Sequence, residues 1–533
     1  MGCIWLNSCG STWAERVAQQ LNSCCGLVAI QRAIGVMETN GWAIGRLKSW
    51  GGLWTFSLLG AIALWGCGSA GPQFQGGSLP PAAEFNNSGG SAESRPSPIA
   101  QPGPVRAFFN HNLASQYRDP YRGIERSGDD LEGRMVQLVE SARSTVVVAV
   151  QELRLPRLAQ ALVDRHRAGL QVRVILENSA SRPWSSYSPE ELAQLSDRER
   201  SRIEDYFRLG DRNGDGTVSE AEVLATDAMV MLAQGGVPTL DDTADGSKGS
   251  GLMHHKFIVV DGNRSIITSA NFTLSDVHGD MGRPASRGNP NNLLEIDSPV
   301  VAGWLLEEFA LMWGDGPGGQ PDSRFGTNKP LRPLRSTQVG DATIGIQFSP
   351  MKTAVPFPER TNGVIAANVG QATRSIDLAL FVFSEQAIAD AMETAHRRGA
   401  KVRVLVDPSF LARDYSEALD LLGVTLRRRT CELEPNQRPW NPPITTVGSP
   451  ELPMGDLLHH KFGLVDGQTV LTGSHNWSAA ADRLNDETLL VVKHPIVATL
   501  FQREFDRLWS NATTGITPKL KERLAADRAR CGS

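Results

Sequence analysis

Several features that would narrow the function of this chain are scarce or missing. There is no excess of positive charge: 53 lysines and arginines stand against 58 aspartates and glutamates, a formal net charge of −5. A protein without a basic field is not drawn as a whole onto nucleic acid, which leaves only a local patch for that partner. The chain has no series of long apolar segments, which argues against a protein with multiple membrane spans. Cysteine is sparse, seven in 533 residues. Cys3, Cys9, Cys24 and Cys25 precede an apolar segment, Cys67 ends it, and only Cys431 and Cys531 lie beyond. None has a second Cys or His cluster at ligand spacing, which excludes a zinc centre. In an exported chain Cys431 and Cys531 are candidates for a disulfide.

What is present begins with a targeting region, residues 1–67. Arg46 and Lys48 precede the apolar run Gly51–Gly66, too short to span a bilayer comfortably and right for a signal-peptide core. The run ends Leu64-Trp65-Gly66-Cys67-Gly68-Ser69, which resembles a bacterial lipoprotein processing box. Trp65 departs from it, since that position normally holds a small residue. The resemblance implies lipidation of Cys67, and Met37 is a sensible start that would make residues 1–36 an over-long beginning. Residues 68–104 are rich in Gly, Pro, Ser and Asn, cannot bury enough apolar surface to fold, and read as a tether. The expected location is therefore outside the cytoplasm: tethered to a membrane, periplasmic or extracellular.

Two parallel stretches follow. ARSTVVVAVQEL, a helical segment closed by Gly169 and the strand LQVRVILENS match ATRSIDLALFVF, a helical segment closed by Gly399 and the strand AKVRVLVDPS. Each reads as a βαβ unit, which predicts a mostly parallel, buried sheet. HHKFIVVDGNRSIITSANFT then matches HHKFGLVDGQTVLTGSHNWS, two strands joined at Asp-Gly, a hairpin signal. Each copy ends in a helix with a terminal Trp (SPVVAGWLLEEFALMW, HPIVATLFQREFDRLW). The same elements in the same order predict duplication, with residues 105–330 and 331–533 as two α/β domains packed as a pseudo-two-fold pair.

The chemistry lies in that hairpin. His254, Lys256 and Asp261 follow His-x-Lys-x4-Asp, and so do His459, Lys461 and Asp466. On a strand i and i+2 share a face, so each His and Lys project together. Ser269 and Asn271 follow the first motif as Ser474 and Asn476 follow the second. Burying two lysines is costly, so packing is a poor reason for the pattern, whereas a phosphodiester needs such cations and amide or hydroxyl donors around its anionic oxygens. Histidine, with its pKa near neutrality, suits nucleophile and acid/base alike. Asp261 and Asp466 sit in turns, where Asp is common for local reasons. Glu487 is the better carboxylate to orient a histidine, and the repeat sets Asn291 opposite it. His255 and His460 read as core residues.

These motifs resemble the phospholipase D superfamily over residues 105–511. The resemblance implies two α/β/α sandwich domains with one interfacial active site, a phosphohistidine on His254 and acid/base work by His459.

Between Gly169 and its motif the first copy has 25 more residues than the second. Residues 188–235 fill that space, and Asp211, Asn213, Asp215, Thr217, Ser219 and Glu222 stand at the six ligand positions of a segment resembling an EF-hand, with Gly216 at its turn. Calcium is thus expected as a structural or regulatory ion, and no cofactor for catalysis. Arg427-Arg428-Arg429 reads as a solvated basic cluster, and the Pro-rich stretch 436–456 as a candidate lid, with Trp440 a partly packed loop residue. The expected function is phospholipid headgroup hydrolysis at a membrane surface. A nucleic-acid endonuclease, a phosphatidyl transferase and a non-enzymatic calcium-dependent surface module are the alternatives.

Overall fold

A computed structural model describes residues 95–247 and 250–532. The targeting region, Cys67 and most of the expected tether lie outside the described residues. Among the described residues no helix is long and apolar enough to cross a membrane.

The repeat builds two sheets. The first contains β1 (Val105–Phe109), β2 (Thr145–Val150), β3 (Gln171–Leu176), β4 (Thr239–Asp241), β5 (Lys256–Val260), β6 (Arg264–Thr268) and β7 (Asn292–Asp297), in the order β1-β7-β6-β5-β2-β3-β4. The second contains β8 (Arg335–Val339), β9 (Ala342–Ser349), β10 (Ser375–Leu380), β11 (Lys401–Val406), β12 (Val447–Pro450), β13 (Lys461–Val465), β14 (Thr469–Gly473), β15 (Glu487–Lys493) and β16 (Ala512–Thr514). Its order is β8-β9-β15-β14-β13-β10-β11-β12-β16. Apart from the two added edge strands, the second order repeats the first position by position.

The sheets are mixed, which corrects the expectation of a mostly parallel one. Only β2-β3-β4 and β10-β11-β12 run parallel. The Asp-Gly turns force β5-β6 and β13-β14 to be antiparallel hairpins, and the remaining neighbours are antiparallel as well.

Alternation along β5 shows how the layers form. Phe257 and Val259 enter one core, Ile258 and Val260 another. The Phe257 core is common to both halves: it joins Leu294 of the first sheet to Ile344 and Phe462 of the second, with Phe309 and Phe501 of the closing helices Pro299–Trp313 and Pro495–Trp509 between them. Helices Pro156–Arg167 and Gln386–Arg397 cover separate cores on the outer faces. Each buried Phe or Leu is worth roughly 1.5–3 kcal/mol, so the two sheets are held as one body by a shared apolar layer.

Local details revise other expectations. Asp261 and Asp466 have φ of 53° and 55° and are followed by glycines with φ of 62°, the left-handed pair of a tight hairpin. The Asp261 carboxylate accepts the N–H groups of Arg143, Ser144 and Thr145, and Asp466 those of Thr373, Arg374 and Ser375. Each aspartate lies at the far end of its strand from the His-Lys pair, so neither belongs to the site. Cys431 and Cys531 form a disulfide that ties helix Pro518–Cys531 to the loop between helix Glu417–Leu421 and β12. Arg427 binds Asp527 through its N–H, and Arg428 pairs with Glu434. The stretch 436–456 is not a free lid, because Val447–Pro450 is strand β12 in the sheet. Trp440 is buried and stacks on His396.

Candidate active site

Strands β5 and β13 deliver the two His-Lys pairs. His254 and His459 are buried to 5% and 7% exposure, and Lys256 and Lys461 to 0% and 1%. What fixes each histidine comes from the opposite half. His254 Nδ1 lies 2.7 Å from Glu487 Oε2, and His459 Nδ1 lies 3.1 Å from Asn291 Oδ1. Neither half orients its own histidine. The backbone repeats the exchange: His254 donates its N–H to the Asp486 carbonyl, and Asp486 donates to Leu252.

Four basic groups therefore crowd one interface. Burial pushes the His254 imidazole well below its ordinary pKa, and Lys256 and Lys461 push it further. His459 is lowered the same way by burial, Lys461, Lys256 and His254. Burial brings Lys256 down to about 8. Lys461 is lowered well below its ordinary value by burial and by Lys256. Glu487 is raised by burial, against the opposing pull of His475 and Lys256. Each ammonium is held by the carbonyl of its own histidine, Lys256 Nζ to His254 O at 2.9 Å and Lys461 Nζ to His459 O at 2.6 Å. A buried cation without a full counter-charge is costly, and an anionic phosphoryl group would supply one.

Two sequence expectations change here. Ser269 and Ser474 were expected to donate to phosphate. Instead Ser269 Oγ donates to Asn291 Oδ1 at 2.7 Å and Ser474 Oγ to Glu487 Oε2 at 2.6 Å. A hydroxyl has one hydrogen, so both serines brace the groups that orient the histidines. Asn271 and Asn476 differ: the side-chain Oδ1 of each is buried without a partner. Their amides are the donors left for a ligand. His255 and His460 are satisfied core residues, bonded to Thr488 and Glu308 and to Asn292 and Glu504.

Sequence reasoning missed several neighbours. Glu177 accepts the Met253 N–H at 2.6 Å and Asp407 the Leu458 N–H at 2.8 Å, each setting the segment that leads to its histidine. They occupy matching places after β3 and β11, so the repeat itself carried the signal. Asp276 Oδ2 lies 3.7 Å from His459 Nδ1, so that histidine has a carboxylate nearby as well as its amide. Gln151 Oε1 lies 3.4 Å from Lys256 Nζ, whereas Lys461 Nζ lies 5.0 Å over the ring of Phe381.

The EF-hand-like loop runs between helices Asp197–Gly210 and Glu220–Thr226. Its carboxylates turn inward on the loop. Asp211 accepts the N–H groups of Asp215 and Gly216, Asp215 accepts Thr217, and Glu222 accepts Arg212 and Ser219. Asn213 donates to Asp215. Among the described residues no group of three His, Cys, Asp or Glu side chains is placed to hold a metal.

A duplicated α/β fold with two His-Lys pairs at one internal interface defines a double-motif protein of the phospholipase D type. The family model described as cardiolipin synthase, PLD-like domain, matches residues 135–313 and 365–509. The chain belongs to that family. It is 31% identical over 186 residues to mitochondrial cardiolipin hydrolase of Xenopus laevis, covering 34% of this chain and 78% of that one. It is 27% identical over 164 residues to a phospholipase D of Rickettsia felis, covering 31% and 72%. Among solved structures it resembles Nuc of Salmonella typhimurium, a phospholipase D family member, at 22% identity and TM-score 0.26 over 33% of this chain and 98% of that one. It also resembles phosphatidylserine synthase of Haemophilus influenzae at 12% identity and TM-score 0.48, over 80% and 94%.

Proposed function

We propose that the protein hydrolyses the headgroup phosphodiester of a phospholipid through a covalent phosphohistidine. With Nδ1 of His254 donating to Glu487, Nε2 is the nitrogen left to attack phosphorus. The bond from phosphorus to the departing oxygen breaks, and His459, protonated once the anionic phosphodiester offsets the charges of Lys256 and Lys461 that depress it, delivers the proton that turns the alkoxide into an alcohol. His459 then takes a proton from water, whose oxygen attacks phosphorus and frees His254. Lys256 and Lys461, with the amides of Asn271 and Asn476, hold the anionic oxygens as charge grows on them.

The observation that carries this reading is the unequal support of the two histidines. A carboxylate at 2.7 Å stabilises the positive charge that forms on His254 when it bonds to phosphorus, and the amide at His459 favours a ring that gives its proton up. Relatives named for cardiolipin hydrolysis and phospholipase D activity support a lipid substrate. The Cys431–Cys531 disulfide supports an exported location.

The test is to incubate the purified protein with phosphatidylcholine, cardiolipin and single-stranded DNA, beside a His254→Ala control. Lipid products from wild type alone are expected. Nucleotide products without lipid products would transfer the site to the endonuclease reading, and phosphatidyl exchange onto added alcohol to the transferase one.

Calcium binding belongs to the same proposal. Asp211, Asn213, Asp215, Ser219 and Glu222 would supply side-chain oxygens and Thr217 its carbonyl, with Glu222 leaving Ser219 for the ion. Calcium should then raise the melting temperature relative to chelator, and identical melts would remove the ion from the account.

A further inference from the structure

Among the buried charges that the proposed reaction leaves unused is a group of four on the segment between helix Pro299–Trp313 and β8, where the chain crosses from one half to the other. Lys329 of that segment is 3% exposed. Its Nζ pairs with Glu308 of the helix and lies 2.6 Å from Asp486 Oδ1 of the second half. Arg332 Nε lies 2.9 Å from the other Glu308 oxygen. All four side chains are buried, and two positive charges stand against two negative ones. Burial alone would raise the Glu308 carboxyl, yet Lys329 and Arg332 hold it well below the usual carboxylate range.

Both partners of Lys329 touch the segments that carry the site. Asp486 precedes Glu487, the carboxylate that meets His254. Its main chain is bonded to the His254 segment twice, accepting the His254 N–H and donating to Leu252, and its side chain accepts the Gly326 N–H at 3.0 Å. Glu308 Oε1 lies 3.3 Å from His255 Nε2, and His255 Nδ1 lies 2.8 Å from Oγ1 of Thr488, the residue after Glu487. One ammonium thus bears on both flanks of Glu487. The other half lacks this arrangement. The repeat sets Pro290 before Asn291 where Asp486 stands before Glu487. There Glu504 pairs with Arg507 of its own helix, not with the crossing segment. A buried ion group adds little stability over apolar side chains of the same volume, and its best-attested use is to fix one register among several. Here that register is the contact of Glu487 with His254.

We propose that Lys329 is a positioning residue for the proposed nucleophile: by gripping Asp486 directly and His255 through Glu308, it holds Glu487 within hydrogen-bonding distance of His254. Its kinetic consequence rests on the reaction proposed above, and its structural consequence does not.

The test is a double-mutant cycle in the full chain on a p-nitrophenyl phosphodiester, which depends on His254 whatever the natural substrate. Lys329→Met should lower kcat about 30-fold with KM unchanged. Combined with Glu487→Gln it should cost less than about threefold beyond Glu487→Gln alone, because the group that Lys329 positions is already gone, whereas with Asn291→Asp the effects should multiply. Removing one charge of a buried group can unfold the protein, so the second variant joins Lys329→Met to Asp486→Asn and removes one charge of each sign. It should melt close to wild type and still turn over slowly. Wild-type kcat in that double variant, or losses that multiply with Glu487→Gln, would overturn the proposal and leave Lys329 serving the fold alone. Nuclear magnetic resonance of 15N-histidine-labelled protein reads the geometry without turnover, with the His254 signals assigned by their loss in His254→Asn. The His254 Nδ1 signal should move in the Lys329, Asp486 double variant as it does in Glu487→Gln, and an unmoved signal would sink the positioning role. If wild type cleaves no phosphodiester, the reaction proposed above fails while the spectrum still decides Lys329.

Discussion

The two halves agree where they hold strands in place and differ around the two His-Lys pairs. Both anchor a hairpin aspartate on three backbone N–H groups, both bury a second histidine against a glutamate of the closing helix, and both brace the orienting residue with a serine. At the site they part. Glu487 stands where the other half has Asn291, Phe381 faces one lysine where Gln151 faces the other, and only the first half has the acidic insertion. In the proposed reaction one histidine goes to phosphorus and the other to the leaving group. The unequal partners of His254 and His459 are what that assignment rests on.

The sharpest way to break the comparison is to remove each histidine and vary the leaving group. His254→Asn should abolish turnover, by about 1000-fold or more, on lipid and on a p-nitrophenyl phosphodiester alike. His459→Asn should be as poor on lipid yet recover about 100-fold on the p-nitrophenyl ester, whose leaving group needs no proton. Equal losses on both substrates would erase the division of labour.

Next in size is the exchange of orienting groups. Glu487→Gln should lower kcat about 100-fold, because the imidazolium-like charge on His254 loses its carboxylate, while Asn291→Asp should change kcat by less than about tenfold. Steady-state kinetics that reverse this order would reverse the two roles.

A pH profile sharpens the lysines. Burial lowers Lys256 to about 8, so its ammonium is present below that pH and is lost as pH rises through it. The profile of kcat/KM should fall above about pH 8, and Lys256→Arg, which keeps its charge, should carry that limb upward. The smallest effect belongs to the turns. Asp261→Ala and Asp466→Ala should each cost about 1–2 kcal/mol in chemical denaturation, with kcat unchanged.

How much of this was legible follows from which interactions are local. The His-x-Lys spacing, the hairpin turns and the duplication depend on residues near one another in sequence, and each appears where it was read. The pairing of Asn291 with Glu487 as opposite numbers was also legible from the repeat. Its consequence was not, because each of those residues serves the histidine of the other copy. The serines brace other groups for a related reason: donors suited to phosphate are equally suited to an amide or carboxylate, and only the fold sets which acceptor is nearer. Asp276, Gln151 and Phe381 carry no motif. The sheets are mixed because each tight hairpin reverses its strands, so β5-β6 and β13-β14 run antiparallel beside the parallel strands of the βαβ units.

By itself the sequence determined that this chain is a duplicated α/β protein with two His-Lys pairs, since period, turn chemistry and internal likeness are written along the chain. Tertiary structure alone decided that each histidine is completed by the opposite half and that the two supports are unequal. The physical reason is distance: Glu487 is 233 residues from His254 along the chain and 2.7 Å from it in space. No local rule reaches across that separation; the shared apolar core between the sheets closes it.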